Sequence, residues 1–332
     1  MQYRTLGRTG VQVSRLCLGT MSFGGDADEA ASAAMYRRAR DAGINFVDTA
    51  DVYGRGRAEE ILGGLMAGER DELVIASKVH FPMGPGVNDR GLSRRHIALA
   101  VEGSLRRLGT DRLDLYFVHG FDDLTPVDEM LRALDDLVHA GKILYPAVSN
   151  WAAWQIAVAL GASAARDLAP FACVQPMYSL IKRQAEVEIL PMAASEGLGV
   201  ISYSPLASGM LTGKYGGDER PEVGRLLVNQ VHIRRYADPA YPEVADRFVA
   251  YARSHGVHPA SLAVAWVMAH PAITAPIIGA RNAEQLEASL GALEIEMTPE
   301  WRAEISSLSP EPPPATDRSE EKSGIVYQGT DR

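Results

Sequence analysis
The chain has 332 residues, 46% of them hydrophobic and 23% charged, the balance of a globular protein with ample material for a core. Its formal net charge of -9 argues against a nucleic-acid partner, which would call for clustered Lys and Arg. No stretch approaches the roughly 18 uninterrupted apolar residues of a membrane span, and the polar start MQYRTLGRTG lacks the apolar centre of a signal peptide.

In chain order, QYRTLGRTGVQVS reads as a β-hairpin turning at Gly7–Gly10, placed to plug one end of a barrel. Eight apolar, strand-like runs follow: RLCLGT (15–20), INFVDTA (44–50), LVIASKVH (73–80), LDLYFVHG (113–120), ILYPAVSN (143–150), ACVQPMYS (172–179), GVISYSPLA (199–207) and APIIGA (275–280). Several are apolar almost throughout, as parallel strands covered on both faces are. Amphipathic segments lie between them, among them 27–43, 93–109 and 126–142. The last opens on Thr125-Pro126 and closes on Gly141-Lys142, good start and stop signals for a helix. Eight strand–helix units in series predict a single α/β domain over 1–332, a (β/α)8 TIM barrel. A doubly wound sheet is the rival, but LCLGTMSFGG does not fit the G-x-G-x-x-G fingerprint. Two long loops, 80–93 and 208–241, are expected to serve function. The Pro-rich, charged stretch 309–332 reads as a loosely held tail. Cys17 and Cys173 fall on separate strands and make a poor disulfide framework, so a reducing, cytoplasmic setting is expected.

Chemistry in such a barrel collects at the C-terminal ends of the strands. The polar residues there are Asp48, Asp51 and Tyr53, then Lys78, His119, Ser149 and Asn150, Gln175, and Tyr203 with Ser204. Singly, each has a plain structural explanation: a Lys reaching for water, a hydrogen-bonded His, an Asn capping a helix. Together they are harder to dismiss, because Asp and Lys seldom enter a core unpaired. Asp48 and Lys78 stand on neighbouring strands, with Tyr53 and His119 expected at the same mouth. A phenol of pKa about 10 is a poor acid at neutral pH, and a nearby ammonium is expected to lower it. An imidazole beside it orients a carbonyl or relays a proton. This set protonates a carbonyl oxygen while a cofactor delivers hydride to the carbon. Other chemistries lack their residues. G-x-S-x-G and H-E-x-x-H are missing, no metal is expected, and GMLTGKY (209–215) fails as a Walker A loop. His255 and His258 read as surface residues.

From the hairpin to about residue 300 the chain resembles the aldo-keto reductase superfamily. The resemblance rests on LGTMSFG (18–24), FVDTADVYG (46–54), IASKV (75–79), LDLYFVHGFDD (113–123), AGKILYPAVSN (140–150), VQPMYSL (174–180), ISYSPLASGMLTGKY (201–215) and IIGARNAEQLEASLGAL (277–293). It implies a nicotinamide cofactor bound without a Rossmann fold and an Asp48–Tyr53–Lys78–His119 tetrad, with Tyr53 as the general acid and Asp51 only a loop residue. By the same resemblance Ser149, Asn150 and Gln175 hold the carboxamide, and Tyr203 stacks on the nicotinamide. Gly19, Thr20 and Met21 line the cofactor. Ser204, Leu206, Ser208, Gly209 and Lys214 clamp the pyrophosphate, and Gly279, Arg281 and Gln285 face the adenosine. Arg281 suits a 2′-phosphate, so NADPH is expected over NADH.

The expected substrate is a small carbonyl compound, an aldehyde or ketone, met by Phe23, Phe81 and Trp151. The chain departs from the family where Ala288 and Ser289 replace a frequent Glu-Asn pair. It departs again at Pro146-Ala147, and at Gly120, which is expected to leave room in the pocket. Two alternatives stand beside a general reductase. One is a cofactor-binding regulatory subunit like the potassium-channel β subunits, which depart from the family at the His. The other is a keto-sugar reductase of a natural-product pathway. A non-redox barrel enzyme is a further rival, and the oligomeric state is left open.

Overall fold
Eight short parallel strands close on themselves in a computed structural model that describes residues 1–216 and 224–318. Each expected run supplies one strand: β3 (Cys17–Gly19), β4 (Phe46–Asp48), β5 (Val74–Val79), β6 (Leu113–Val118), β7 (Ile143–Ser149), β8 (Cys173–Gln175), β9 (Gly199–Ser202) and β10 (Ala275–Ile278). They run round the barrel in sequence order, and β10 closes on β3 through Ile277 opposite Cys17. The expected (β/α)8 TIM barrel is the fold, and the doubly wound sheet is excluded.

The preceding hairpin, β1 (Tyr3–Thr5) and β2 (Gln12–Ser14), is antiparallel and caps the N-terminal end. Its Leu6 and Val13 are fully buried in one cluster with the barrel interior, including Phe46, Phe117 and Cys173. Gly7 is required there. It takes φ +52°, and a Cβ would stand 2.5 Å from Gly199 N.

A second, larger core lies between the strands and the surrounding helices. The first four are α1 (Glu29–Asp41), α2 (Arg57–Leu65), α3 (Arg94–Leu108) and α4 (Val127–His139). Asp28 and Ser93 accept from Ala31 N and His96 N, capping α1 and α3 as such side chains do. The α4 helix begins after Pro126 and stops before Gly141 at φ +69°, where the sequence puts its signals. Further round are α5 (Ala153–Arg166) and α6 (Ile189–Glu196), then α7 (Arg225–Val228) and α8 (Gln230–Arg235) inside the long 208–241 loop. The chain ends through α9 (Ala240–Ser254), α10 (Pro259–Met268), α11 (Ala283–Leu290) and α12 (Pro299–Ser306). Residues 217–223 of that loop and 319–332 of the expected tail lie outside the described residues. Among the described residues no helix is long and apolar enough to cross a membrane.

Candidate active site
Side chains alternate along each strand, and the inward ones are apolar until the last position. Phe46 is followed by Asp48, Ala76 by Lys78, Phe117 by His119, Ala147 by Ser149, Cys173 by Gln175 and Ile201 by Tyr203. One polar layer therefore closes the C-terminal end of the barrel. Tyr53 comes from beyond a strand. It begins a tight turn, Tyr53–Gly56, in which Gly54, Arg55 and Gly56 take φ of 56°, 55° and 95° and swing the chain back across the mouth.

Lys78 is fully buried and its ammonium is fully used. It donates to Asp48 Oδ2 at 2.7 Å, to Thr49 O at 2.7 Å and to Tyr53 Oη at 3.3 Å. The other Asp48 oxygen accepts from Gln175 Nε2 at 2.8 Å. The His119 ring meets Tyr53 edge-on with centroids 6.0 Å apart. Asn150, at φ +61°, donates to His119 O at 2.8 Å and accepts from Tyr203 Oη at 2.7 Å.

Electrostatics divide the roles. Burial lowers the affinity of Lys78 for its proton, but Asp48 and Tyr53 more than offset this and hold it raised. Burial, with help from the charges of Lys78 and His80, drives His119 well below the usual range, so its imidazole is neutral. For Tyr53 the sequence expectation is corrected. Burial outweighs the pull of Lys78, so the phenol is raised rather than lowered and keeps its proton at neutral pH.

Above this layer opens a cavity of about 990 Å³, lined by Asp48, Tyr53 and His119 at one end and Lys214, Arg281 and Gln285 at the other. Of the residues expected to meet the cofactor, Gly19, Met21, Asn150, Gln175, Tyr203 and Ser204 also line this cavity, as do Leu206, Ser208, Gly209 and Gly279. The far end suits an anionic group. Ser204, Ala207, Ser208 and Gly209 all take positive φ, a turn of backbone suited to turning N–H groups toward an anion. Lys214 lies over it, so close that a Cβ on Gly209 would stand 2.4 Å from Lys214 Cε. Burial, then the like charges of Arg281 and Arg225, lowers Lys214, a crowding of cations that an anion would relieve.

Several expected residues lie elsewhere. Phe23 is buried in the outer core, because Ser22–Ala27 folds back on itself through Gly24 N to Ala27 O at 2.8 Å and Ala27 N to Ser22 O at 2.9 Å. Trp151 is buried edge-on between Phe121 and Phe171, at 4.9 and 5.8 Å. Of the three expected substrate contacts, only Phe81 lines the cavity. Thr20 and Ser149 are fully buried beneath it, donating to Asp48 O and Gln175 O. The room expected beside Gly120 is taken by His80, whose ring would come within 3.0 Å of a Cβ there. His80 lines the cavity, as do Arg225, Asn229, His232 and Arg235 of the long loop. The sequence marks that loop but not these residues. The run RLLVNQVHIRR is basic and amphipathic, and Asn229 caps α8.

A parallel eight-stranded barrel with a buried Asp–Lys pair, a phenol and an imidazole at its C-terminal end has the groups that acid–base work at a carbonyl needs. Comparison with known proteins agrees. Residues 15–310 match the model of the Aldo/keto reductase family, and the chain belongs to that family. An uncharacterized oxidoreductase of Bacillus subtilis (strain 168), YrpG, is 38% identical over 328 residues, covering 94% of this chain and 97% of the relative. A probable voltage-gated potassium channel subunit beta of Oryza sativa subsp. japonica is 38% identical over 327 residues, covering 96% and 99%. One of the same description from Arabidopsis thaliana is 37% identical over 303 residues, covering 89% and 92%. The protein is an oxidoreductase of a family that uses NAD(P)H on small carbonyl compounds.

Proposed function
We propose that the protein reduces aldehydes or ketones to alcohols with NADPH, and that Tyr53 is the proton donor. The observation that carries this is the Tyr53 hydroxyl, 3.3 Å from a Lys78 ammonium that is itself fixed on Asp48 at 2.7 Å, at the floor of the cavity. Tyr53 holds its proton in the resting site, as an acid must. As it gives that proton to the carbonyl oxygen, the charge left on the phenolate falls beside Lys78, where it is stabilised most. His119, neutral, hydrogen-bonds the same oxygen and orients it. In the reverse direction the Tyr53 phenolate is the base.

Asn150 and Gln175 would hold the carboxamide, Tyr203 the ring face, Ser204, Ser208 and Lys214 the pyrophosphate, and Arg281 a 2′-phosphate. When bound, the reduced nicotinamide supplies the hydride. The tyrosine, the histidine and the apolar Phe81 and Val52 leave room for a small carbonyl compound. A cofactor-binding regulatory subunit is the second reading, favoured by the two relatives that carry potassium-channel names.

The test is loss of reduced-nicotinamide absorbance, with NADPH and then NADH, against a panel of aldehydes and ketones, with Tyr53→Phe alongside. Turnover that vanishes in Tyr53→Phe while NADPH still binds supports the reading. Tight NADPH binding with no turnover on any carbonyl moves it to the regulatory subunit. Neither binding nor turnover refutes both.

A further inference from the structure
Behind β4, β5 and β6, on the outer face of the barrel wall, lies a second polar cluster that the proposed chemistry does not use. Outward positions of a barrel strand face the helical layer and are ordinarily apolar. Here Glu59 of α2 is fully buried, accepting from Ser77 Oγ at 2.5 Å and from Arg107 Nε of α3 at 2.7 Å. Asp51 is 1% exposed, and neither of its oxygens receives a well-formed hydrogen bond. The Tyr116 hydroxyl of β6 is buried near both carboxyls and is also without a partner.

Charge decides what state Asp51 is in. The groups that face it are Glu59 from α2, Arg107 from α3, Lys78 from β5, the Tyr116 phenol from β6 and the Val52 amide of its own segment. Arg107 is already engaged by Glu59, and Lys78 by Asp48, Thr49 and Tyr53. A second bare carboxylate in this place has no cation left to offset it, and burying one unpaired is costly. Burial, then the charge of Glu59, pushes the Asp51 carboxyl up to about 7, against the weaker pull of Val52 N–H, Arg107 and Lys78.

Asp51 also sits on the segment that delivers Tyr53. Asp51 N donates to Lys78 O at 3.4 Å, Tyr53 N to Ala50 O at 3.2 Å and Lys78 Nζ to Thr49 O at 2.7 Å. Residues 49–53 thus form a strap between β4 and the catalytic turn, laced to β5 by hydrogen bonds, with Asp51 close enough to Glu59 and Tyr116 to feel their charge. We infer that Asp51 is a positioning residue whose proton lets this strap pack beside Glu59, and that losing the proton loosens the strap and draws Tyr53 away from Lys78. The inference rests on the reading of Tyr53 as proton donor. It adds a titrating group that touches neither substrate nor cofactor.

The experiment compares wild type and Asp51→Asn, which keeps the shape and cannot ionise. The kcat of each is followed from pH 5.5 to 9, and melting is recorded at both ends. The expected result is a several-fold fall in wild-type kcat through about pH 7 that is absent in Asp51→Asn. Asp51→Asn should also melt above wild type by more at pH 9 than at pH 5.5, because the cost of keeping this carboxyl protonated builds up between its ordinary value of 3.8 and about 7. Superposable pH profiles, or the same melting offset at both ends, overturn the inference and leave Asp51 a structural residue. If wild type turns over no carbonyl at all, Tyr53 loses its role as donor and melting alone judges Asp51. Equal melting of the two proteins at pH 9 then overturns it. If Asp51→Asn does not fold, Glu59→Gln serves instead. It removes the opposing charge and frees Arg107, so the wild-type inflection should move to lower pH, and an unmoved inflection overturns the inference.

Discussion
The buried pair at the centre of the site permits a sharp test. Replacing Lys78 by Met keeps the length of the side chain and removes its charge. Asp48, 2% exposed, would then retain only Gln175 Nε2, and Thr49 O and Tyr53 Oη would lose their donor. Removing one partner of a buried ion pair costs about 3–5 kcal/mol, because the other charge is stranded. An unfolding entropy of about 2.1 cal/mol/K per residue gives about 0.7 kcal/mol/K for this chain, so the melting point should fall by about 4–7 °C. Removing both charges, in Asp48→Leu with Lys78→Met, strands no ion, although Gln175, Thr49 O and Tyr53 each lose a hydrogen bond at about 1 kcal/mol apiece. The double variant should therefore be more stable than the sum of the single changes requires, by at least about 2 kcal/mol. Urea unfolding of all four proteins measures this, and kcat is read on the same samples. Stability should partly return in the double variant and activity should not, because the Tyr53 phenolate would still lack its cation. Strict additivity, or a Lys78→Met protein as stable and active as wild type, would refute the pairing and the role built on it.

Three further outcomes are expected. Arg281→Ala should raise KM for NADPH about ten- to a hundredfold and leave that for NADH nearly unchanged, since a charge-assisted hydrogen bond contributes about 1.5–3 kcal/mol; steady-state kinetics with both cofactors reads it. His232 and His270 are both pushed down to about 4, chiefly by burial, so the folded protein takes up their protons later than the unfolded chain does. Their contribution to stability is full above about pH 6.5 and is lost as the pH drops towards 4, so between urea midpoints at pH 7 and 4.5 the wild type should lose more, or gain less, than His270→Gln does. His119→Asn should lower kcat about a hundredfold or more and leave NADPH binding, measured by fluorescence, within a few-fold of wild type.

The strands were legible because they are nearly continuous apolar runs, and the ring of polar residues because strand alternation fixes which residue comes last on the inward face. Asp48, Lys78, His119 and Gln175 follow from that rule, and Tyr53 from its place just beyond one of them. Pro146 should have argued against a strand, since a central strand has no use for a residue without N–H. It is tolerated because its carbonyl still takes Ala172 N, while the N–H it lacks would point to the same side at a place before β8 begins at Cys173. Tertiary contacts, which alternation cannot reveal, decided the rest. Phe23 and Trp151 look like pocket walls in sequence, but a tight loop and two aromatic neighbours draw them inward. The apparent vacancy at Gly120 was filled by His80 from forty residues earlier in the chain. The direction of the Tyr53 shift is not legible in the sequence, because a neighbour's charge can be read there and the depth of burial opposing it cannot.

The relatives bear on which part of the molecule specifies activity. One carries the name of an oxidoreductase and two carry the names of channel subunits, at nearly equal identity and over nearly the whole chain. A barrel shared so evenly does not separate the two roles. The separation has to lie with groups that touch the reacting atoms and with what holds them there. In this chain the phenol keeps its proton, the imidazole is neutral, and the ammonium between carboxylate and phenol stays charged although it is fully buried. A site that only grips a cofactor has no need to bury a charged lysine beneath a protonated tyrosine. Proton transfer does need it, because the negative charge that appears on the phenol must meet a cation already in place.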